Sequence, residues 1–566
     1  MARRQRSAVA MVTVAGLALG VTACNGAAGS GGSAGKPAAA VRGGTLDVLM
    51  TGTELANLDP AMSNSQASQD ISPLLISPLT MVVPDSSPAK VTGDLATNAG
   101  EPTDGGRVWT FHIRPGMKYS NGQPVTSYDV KYGVERSFAS DLQGGPGYAQ
   151  QFLADDSSYQ GPYVDKSGLS SIVTPNSSTI VFHLNQPLYD FNFATTVPTF
   201  SGVPAADDTG VKYGTNPVTS GPYEIASYEP GKQLVLKRNP NWTQDLVPAI
   251  KAYPNGIDFE LGLDGSVIDQ RLIADRGADQ DAIDLDTTVQ ASDVANVLAN
   301  PQNRTRDVTG VLGQNEWMLV MNTKSGPFKN LLVRQALEYA VDKQTFQTAA
   351  GGPIAGGPTA SNLEGPNVLG YTPFDPYPGG PTGDPAKAKQ LLAQAGYPNG
   401  FSTTMEFSNS TPEAVNEGLV MQSALARVGV KLTLDPLSSS TFYANIGNPK
   451  QVPPLEISAW GANWSDPSQI LGVYQGSLMT ANGPNQDASQ LEDPALDKLI
   501  KQADAAPSQA AAVPLWSAIN QKVMADAPVV PLINFSDIYL HGSKVVGDNF
   551  DPSFGTPNLF NISIAG

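Results

Sequence analysis

A single cysteine, Cys24, restricts how this 566-residue chain can fold. With one cysteine the chain cannot form an internal disulfide, so its stability must come from packed cores. The cysteine follows three arginines and an apolar stretch over residues 8–23. This stretch is too short to span a bilayer comfortably, and small residues precede the cysteine, as at a secretory cleavage site. We therefore expect residues 1–23 to be a signal peptide.

The run Val21–Cys24 resembles a bacterial lipobox, in which the cysteine is diacylated and becomes the first mature residue. Lipid on this thiol would explain a lone cysteine in an exported chain, and the alternative is an ordinary signal peptide with an incidental cysteine. Residues 25–36 are almost entirely Gly, Ala and Ser, a composition that cannot bury enough apolar surface to fold. We expect residues 24–40 to be a lipid-anchored flexible linker and the folded body to begin near Val41.

The body is too long for one hydrophobic core and should divide into two or three lobes. No segment after the leader offers an apolar run of membrane length, so we expect membrane attachment through the lipid alone. The net charge is −18, and it becomes more negative once the arginine-containing leader is removed. Such a surface repels nucleic acid, so we expect no nucleic-acid partner.

Alternation of apolar and polar side chains predicts strands in the first part of the body, with one helix between them. The predicted strands are residues 43–50, 109–113 and 180–184, and the predicted helix is residues 126–138. This order of elements indicates an α+β region.

The second half alternates helices and strands more strictly. Asp384 can cap a helix that begins at Pro385 and ends at Gly396. The other predicted elements are helices over residues 331–341 and 411–428 and strands over residues 317–321 and 430–434. Such a succession favours an α/β lobe with a mostly parallel sheet.

Short motifs are spread over nearly the whole body. They are Gly43–Leu46, Leu58–Pro60, Trp109–Gly116, Ser120–Thr126, Thr219–Tyr223, Leu236–Trp242, Met321–Thr323, Val333–Leu337, Asp384–Phe401 and Asp526–Leu532. In this order, behind a lipobox-like run, they resemble the family 5 extracytoplasmic solute-binding proteins of ABC importers, the oligopeptide and dipeptide type.

The resemblance implies an α/β fold like that of periplasmic binding proteins of class II or cluster C. Such a clam has two α/β lobes, an extra α+β lobe and a two-segment hinge. The implied ranges are 41–80, 200–308 and 536–566 for lobe I, 81–199 for the inserted lobe II, and 309–535 for lobe III. Lobes I and III would close over a solute, and the protein, acting as a monomer, would deliver it to permease subunits of an ABC transporter. No cofactor is implied.

The resemblance also places a ligand-binding strip on the segment before Leu58 and on a loop over residues 460–467. The candidate ligand-binding residues are Thr53, Glu54, Asn57, Asn322, Trp460, Gly461, Ala462, Asn463 and Trp464. Extended backbone in both places can pair with a peptide-like ligand as an added strand. In peptide-binding members an aspartate at the position of Asn463 pairs with the α-ammonium of the ligand. An amide forgoes that charge-assisted contribution, which is on the order of 1 kcal/mol or more.

Several alternatives remain open at these positions. Because of Asn463, an oligosaccharide, a metal chelate, haem or an opine competes with a peptide-like solute. Asp466 could replace the missing carboxylate or form an Asp–Pro turn. Trp460 and Trp464 could stack on a ring, a sugar or an apolar side chain, or pack in the core. Asn322 could face the cleft or form a turn.

Catalytic and metal sites find little support in the sequence. His112, His183 and His541 are the only histidines, and no His or Cys pair has the spacing of a metal site. The acidic run over residues 275–286 lacks the Gly and terminal Glu of a calcium loop, so we expect a solvated edge with a short strand at residues 282–285. No catalytic motif occurs in the body, so we predict a protein that is not an enzyme. An anchored extracellular hydrolase and a sensor remain alternatives.

Overall fold

Three β-sheets with apolar inner faces organise the structure, which is a computed structural model. It describes residues 40–52, 58–63, 66–84, 86, 89–142, 145–154, 158–409, 412–461, 464, 466–479, 485–547 and 556–565. Ala39–Gly566 forms one structural unit. Cys24, with nearly all of the predicted leader and linker, lies outside the described residues, so the lipid anchor and the flexible linker stay predictions.

The strands in the described ranges are short except for two. They are β1 (Thr45–Leu49), β2 (Thr80–Val82), β3 (Val91–Gly93), β4 (Glu101–Thr103), β5 (Val108–His112), β6 (Ile172–Asn176), β7 (Thr179–His183), β8 (Tyr223–Glu229), β9 (Gln233–Arg238), β10 (Gly256–Glu260), β11 (Ala282–Asp284), β12 (Asp307–Met321), β13 (Ser402–Ser408), β14 (Lys431–Leu437), β15 (Leu455–Gly461), β16 (Val529–Leu540), β17 (Val545–Val546) and β18 (Ser563–Ile564).

The α-helices of the same ranges lie mostly in the second half of the chain. They are α1 (Gln66–Leu75), α2 (Ser127–Arg136), α3 (Tyr148–Phe152), α4 (Phe191–Ala194), α5 (Gly265–Ala274), α6 (Ala291–Ala299), α7 (Leu331–Ala340), α8 (Lys343–Ala349), α9 (Gly352–Ala355), α10 (Pro385–Gln394), α11 (Pro412–Ala426), α12 (Ser439–Ile446), α13 (Pro467–Leu471), α14 (Pro494–Asp504) and α15 (Gln509–Asp526). None of these helices is long and apolar enough to cross a membrane.

The first sheet has the strand order β11-β1-β10-β9-β8. Strand β1 pairs in parallel with β10 and β11, whereas β9 runs antiparallel to β8 and β10. Leu46 and Val48 of β1 are fully buried, which confirms the strand predicted from their alternation. The short strand predicted near residue 282 is also present. All three of its residues are buried, because His541 pairs with Ile283 and covers the strand. Residues 275–281 of the acidic run are exposed or half-buried, so the expected solvated edge is wrong only for the strand itself.

The second sheet is antiparallel, with the order β4-β5-β7-β6. Trp109 and Phe111 of β5 are buried beside Phe182 and Phe191, in the edge-on and tilted ring geometries that aromatic pairs prefer. Helix α2 begins with a capping box, in which Thr126 and the side chain three residues on satisfy each other's backbone N–H groups. The predicted α+β region is therefore confirmed.

The third sheet has the order β14-β13-β15-β12-β16. Strand β13 is parallel to β14 and β15, but β12 is antiparallel to β15 and β16. The expectation of a mostly parallel sheet is therefore wrong, because β12 runs antiparallel to both of its neighbours, β15 and β16. The predicted helices are present, and the Asp384 carboxylate accepts hydrogen bonds from two backbone N–H groups at the start of α10.

The two long strands β12 and β16 connect the first and third sheets. Near its end, β16 lies against the first sheet, where the N–H of Val289 donates to the carbonyl of Ile538 at 2.8 Å. Near its start it pairs with β12 inside the third sheet, with Val530 opposite Leu319. These features confirm a mixed α/β fold with two connecting segments between the main sheets. The lobe boundaries inferred from the sequence stay a prediction.

Candidate functional site

Two adjoining cavities lie at the end of strand β15. One has a volume of about 410 Å³ and lies over β12 and β15, and the other, of about 630 Å³, lies between α3 and the segment that follows residue 464. Both are lined by Tyr148, Val473 and Asn485, so they form one continuous region, which we call the β15 cleft.

Trp460 and Gly461 line the smaller cavity, and their role in ligand binding stays a prediction. The indole N–H of Trp460 donates to the carbonyl of Gln469 at 3.0 Å, which fixes the ring between β15 and α13. The side chain is only partly buried. A fixed and partly open aromatic ring is a suitable stacking surface for a ring, a sugar or an apolar side chain.

Trp464 has a different environment, because it is 1 % exposed. Its ring lies 6.4 Å from Phe193 in a stacked arrangement and 5.1 Å from Tyr148. Its indole N–H donates to the Asp190 carboxylate at 3.4 Å. Trp464 also lines the larger cavity, but its contacts are mainly those of a packed core residue, the alternative considered from the sequence.

Asp466 is fully buried at the start of α13, where it accepts a hydrogen bond from the Ser468 N–H. It also accepts from Tyr189 at 2.5 Å and from Gln509 at 3.0 Å. These bonds occupy the carboxylate within the protein, although burial raises its pKa. Asp466 therefore serves as the N-cap of α13, and its carboxylate is engaged by Ser468, Tyr189 and Gln509.

Asn322 is almost fully buried and lines neither cavity. Its side-chain amide donates to the carbonyl of Val452 at 3.2 Å, and its side-chain oxygen accepts from the N–H of Lys324 at 3.0 Å. These contacts correspond to the turn alternative, so the structure does not bring Asn322 together with Trp460.

Five candidates, Thr53, Glu54, Asn57, Ala462 and Asn463, lie outside the described residues, and their roles stay predictions. The chain on either side of the first group is firmly held. The N–H groups of Thr51 and Gly52 donate to the Asp286 carboxylate at 2.8 and 2.7 Å. Asp59, just after the group, pairs with the buried Arg136 at 2.7 Å.

Tyr148, Tyr443, Tyr474 and Glu456 also line the β15 cleft, and sequence reasoning missed all four. Glu456 is almost fully buried. One oxygen accepts from Ser458 at 3.1 Å, and the other has no partner among the residues that the structure describes. Burial raises the pKa of Glu456 to about 8. A signal existed for this residue, because Glu456, Ser458 and Trp460 occupy alternate positions of β15 and therefore share one face of the sheet.

The β15 cleft is acidic and aromatic. Its carboxyl groups include Asp487 and Asp504, and no lysine or arginine is present among the described residues that line the two cavities. Burial raises the pKa of Asp487 to about 6. Stacking surfaces and buried acceptors of this kind suit a neutral or cationic solute with hydrogen-bond donors, and they disfavour an anion.

The residues that hold metals in other proteins do not converge here. In the described ranges no group of three or more His, Cys, Asp or Glu side chains is arranged to hold a metal ion. His112 and His183 lie on strands of the second sheet, and His541 lies next to β11. The three histidines therefore belong to separate places in the fold.

Comparison with known proteins places this architecture in context. Residues 90–481 match the family described as bacterial extracellular solute-binding proteins, family 5 Middle. The probable D,D-dipeptide-binding periplasmic protein DdpA of Escherichia coli (strain K12) is 25 % identical over 85 % of this chain and 86 % of its own length. Heme-binding protein A of Haemophilus influenzae is 24 % identical over 82 % of this chain and 83 % of its own.

One solved structure is similar over nearly the whole chain. The clavulanic acid biosynthesis oligopeptide binding protein 2 superposes with a TM-score of 0.88 and is 32 % identical. The match covers 94 % of this chain and 97 % of that protein. The family match and this structural likeness agree with the three sheets and two connecting strands described above.

Proposed function

Since the chain belongs to the family 5 bacterial extracellular solute-binding proteins, we propose that it captures a peptide-like solute between lobes I and III and delivers it to the permease of an ABC importer. Family 5 proteins bind peptides or other small molecules and work with such permeases. The observation that carries the proposal is the β15 cleft, where Trp460 and three tyrosines surround buried acceptors. Closure would come from bending of β12 and β16, the two strands that connect the first and third sheets.

A peptide-like solute is the leading ligand class for two reasons. DdpA carries the name of a dipeptide-binding protein, and the structural relative is named an oligopeptide-binding protein. The cleft also offers aromatic faces for side chains and acceptors for backbone N–H groups. A non-peptide ligand such as an oligosaccharide or a chelate is the second candidate, because one relative is named a heme-binding protein.

The ligand class can be tested by thermal melting of the full-length protein in detergent with di- to hexapeptides, oligosaccharides and metal chelates. A ligand present at 100 times its dissociation constant adds about 2.7 kcal/mol of stability. Stabilisation by peptides, and its loss with N-acetylated peptides, would establish a peptide receptor that reads the amine. Stabilisation only by a sugar or a chelate would reject the peptide assignment and retain the transport role.

We further propose that the protein is exported and held at the outer face of the cell membrane by lipid on Cys24. The support is the lipobox-like run and the Gly, Ala and Ser composition of the residues that follow it. Cys24→Ser should release the protein from the membrane fraction and remove incorporation of labelled palmitate. Membrane retention of the Cys24→Ser variant without label would contradict a lipid anchor at this position.

The proposed role is binding without chemical conversion of the solute, as in the relatives, whose names describe binding proteins. An anchored hydrolase is the competing enzyme class. Recovery of the bound solute unchanged after prolonged incubation, checked by mass spectrometry, supports the receptor. Steady formation of cleavage products by wild type, abolished by changes in the β15 cleft, would support the hydrolase.

A further inference from the structure

A second cavity, separate from the β15 cleft, lies where helix α1 and strand β16 approach each other. Its volume is about 300 Å³, roughly ten times the share of liquid volume that one water occupies. We call it the Asp537 cavity. Its lining residues are Ala67, Asp70, Leu285, Asp286, Thr287, Thr288, Phe535, Asp537 and Tyr539. Three of these are acids, and no basic side chain is among them.

The position of Asp537 follows from the alternation of β16. Ile538 is packed in the core with Leu49 and Val289, and its backbone N–H and carbonyl both bond the Thr288 hydroxyl, at 2.9 and 3.0 Å. Because successive side chains of a strand point to opposite faces, Asp537 and Tyr539 are directed away from that core. The fold therefore holds the Asp537 carboxyl at the cavity wall.

Asp537 is only 8 % exposed, yet its carboxyl makes no hydrogen bond or ion pair with any residue that the structure describes. An ionised carboxylate without a partner is costly to bury. Burial raises the pKa of Asp537 to about 7, so without a cationic partner its carboxyl is partly protonated near neutral pH. A cationic group in the cavity would supply the missing partner and ionise it.

The other two acids of the cavity do have hydrogen-bond partners. Asp286 accepts two backbone N–H bonds, and Asp70 accepts the hydroxyl of Thr556 at 3.0 Å. Burial, followed by the charges of Asp537, Asp284, Asp70 and Asp286, raises the pKa of Tyr539 well above its usual value. Tyr539 therefore remains a neutral phenol beside several carboxyl groups.

A compact metal ion does not fit this arrangement. The carboxyl groups do not converge into a metal-binding cluster in the described part of the chain. An organic cation with several N–H donors can instead reach acceptors on different walls, as a guanidinium does with its fork of donors. The size of the cavity also exceeds what one ion and its ligands need.

We propose that the Asp537 cavity binds the alkylammonium or guanidinium group of the transported solute, with Asp537 as its counter-ion. This inference rests on the proposed function and names a substrate class for it, solutes with a cationic side group. Recognition of positive charge is thereby assigned to strand β16 and does not depend on position 463, where this chain has an amide.

The test compares pairs of probes that have the same shape and differ in charge. Full-length protein in detergent is titrated by calorimetry with Ala-Arg-Ala against its citrulline counterpart, and with Ala-Lys-Ala against its 2-aminoheptanoic acid counterpart, in which a methyl group replaces the ammonium. We expect wild type to prefer at least one cationic probe over its neutral partner by about tenfold or more, the usual scale of a charged hydrogen bond. Asp537→Asn should reduce that preference to within about threefold while retaining the affinity for the neutral probe.

Two further variants serve as controls. Asp94→Asn removes another buried acid, whose pKa burial also raises to about 7. Asp94 lines a different cavity, which shares Asp70 with the Asp537 cavity, and is not itself among the residues that line the Asp537 cavity. Asp94→Asn should therefore retain the preference. Asp70→Asn should weaken the preference in part, which keeps the test decisive if Asp537→Asn folds poorly. Equal binding of cationic and neutral probes, or an unchanged preference in Asp537→Asn, overturns the inference.

The same titrations separate failure of this inference from failure of the proposed function. If the neutral probes or other solutes of the melting panel bind but no cationic preference exists, the receptor role stands and the cationic substrate class is rejected. If no solute of either set binds, both the receptor role and the substrate class are rejected.

Discussion

Asp59 and Asp537 are both buried aspartates, but they differ in whether a cationic side chain is paired with them. Asp59 forms a bidentate pair with Arg136, at 2.7 and 2.8 Å, and neither side chain is exposed. Asp537 is nearly as buried and has no partner in the described part of the chain. The first carboxylate connects the segment before α1 to helix α2, whereas the second lines a cavity.

The guanidinium group of Arg136 has partners on several sides. Its Nε atom donates to Asp208 at 3.1 Å, and its guanidinium lies 4.9 Å from the ring centre of Tyr213. Burial lowers the pKa of Arg136, but the hydrogen bonds with Asp59 and the charges of Asp59 and Asp208 raise it by more. The net pKa lies above the usual value of arginine, so the group stays charged. Burial also raises the pKa of Asp208, but a hydrogen bond from Tyr163 and the Arg136 charge lower it below its usual value.

The comparison separates two uses of a buried acid. A carboxylate that is fully paired contributes to holding the fold together and has little capacity left for a ligand. A carboxyl that is buried without a partner destabilises the empty protein and is available to a cation. We therefore expect that removing the partner of Asp59 destabilises the protein. Removing the Asp537 carboxyl should instead stabilise the ligand-free protein.

The largest expected effect comes from Arg136→Met, which leaves Asp59 and Asp208 buried without their cation. We expect a loss of about 3–5 kcal/mol in the free energy of unfolding, measured by urea denaturation. The double variant Asp59→Asn/Arg136→Met should regain part of that loss. The control Lys232→Met, which breaks an exposed pair with Glu229, should produce no measurable change. A loss below about 1 kcal/mol in Arg136→Met would show that the pair is not structural.

The two tryptophans next to the β15 cleft extend the same contrast to aromatic residues. Trp464→Ala removes a fully buried ring and should cost about 3–5 kcal/mol of stability. Trp460→Ala should cost less stability, because the ring is partly exposed, and should chiefly weaken solute binding. Denaturation and titration of both variants check this. The reverse pattern would assign Trp464 to the ligand and Trp460 to the core.

A smaller effect is expected from pH, because burial raises the pKa of several carboxyl groups. The values are about 7 for Asp94, Glu364 and Asp537 and about 8 for Glu456. Between about pH 4 and these values the folded protein binds more protons than the unfolded chain, so stability must fall as pH rises. We expect the ligand-free protein to melt at a higher temperature at pH 5.5 than at pH 8. A higher melting temperature at pH 8 would contradict the assignment of these groups as buried and weakly paired.

Local features of the fold were predictable from the sequence, and long-range pairing was not. Alternation predicted β1 and β5, and a capping aspartate with a following proline predicted α10, because these signals lie within a few residues. The direction of β12 in the third sheet depends on β16, which follows about two hundred residues later. No local pattern reports such a pairing. On α11, the apolar side chains of Val415 and Leu419 are exposed, and Gly418 packs against Phe407 between them.

The candidate binding residues were likewise predictable only in part. Trp460 was found through motif resemblance and does line the β15 cleft. Asp537 was missed, although an aspartate inside an apolar strand is itself an unusual pattern. The residues that face Asp537 come from α1 and from the segment after β11, which are distant in sequence. The sequence alone therefore could not show that they include no basic side chain.

The most direct test of the central claim is the melting temperature of wild type and Asp537→Asn at pH 8, each with and without Ala-Arg-Ala or Ala-Lys-Ala. Without peptide, we expect Asp537→Asn to melt at the higher temperature, because an unpaired buried acid has been removed. With the preferred cationic peptide, wild type should gain stability and the variant should gain little. A variant that melts lower than wild type without peptide, or that gains as much as wild type with it, would contradict the claim that Asp537 is kept unpaired for a cationic ligand.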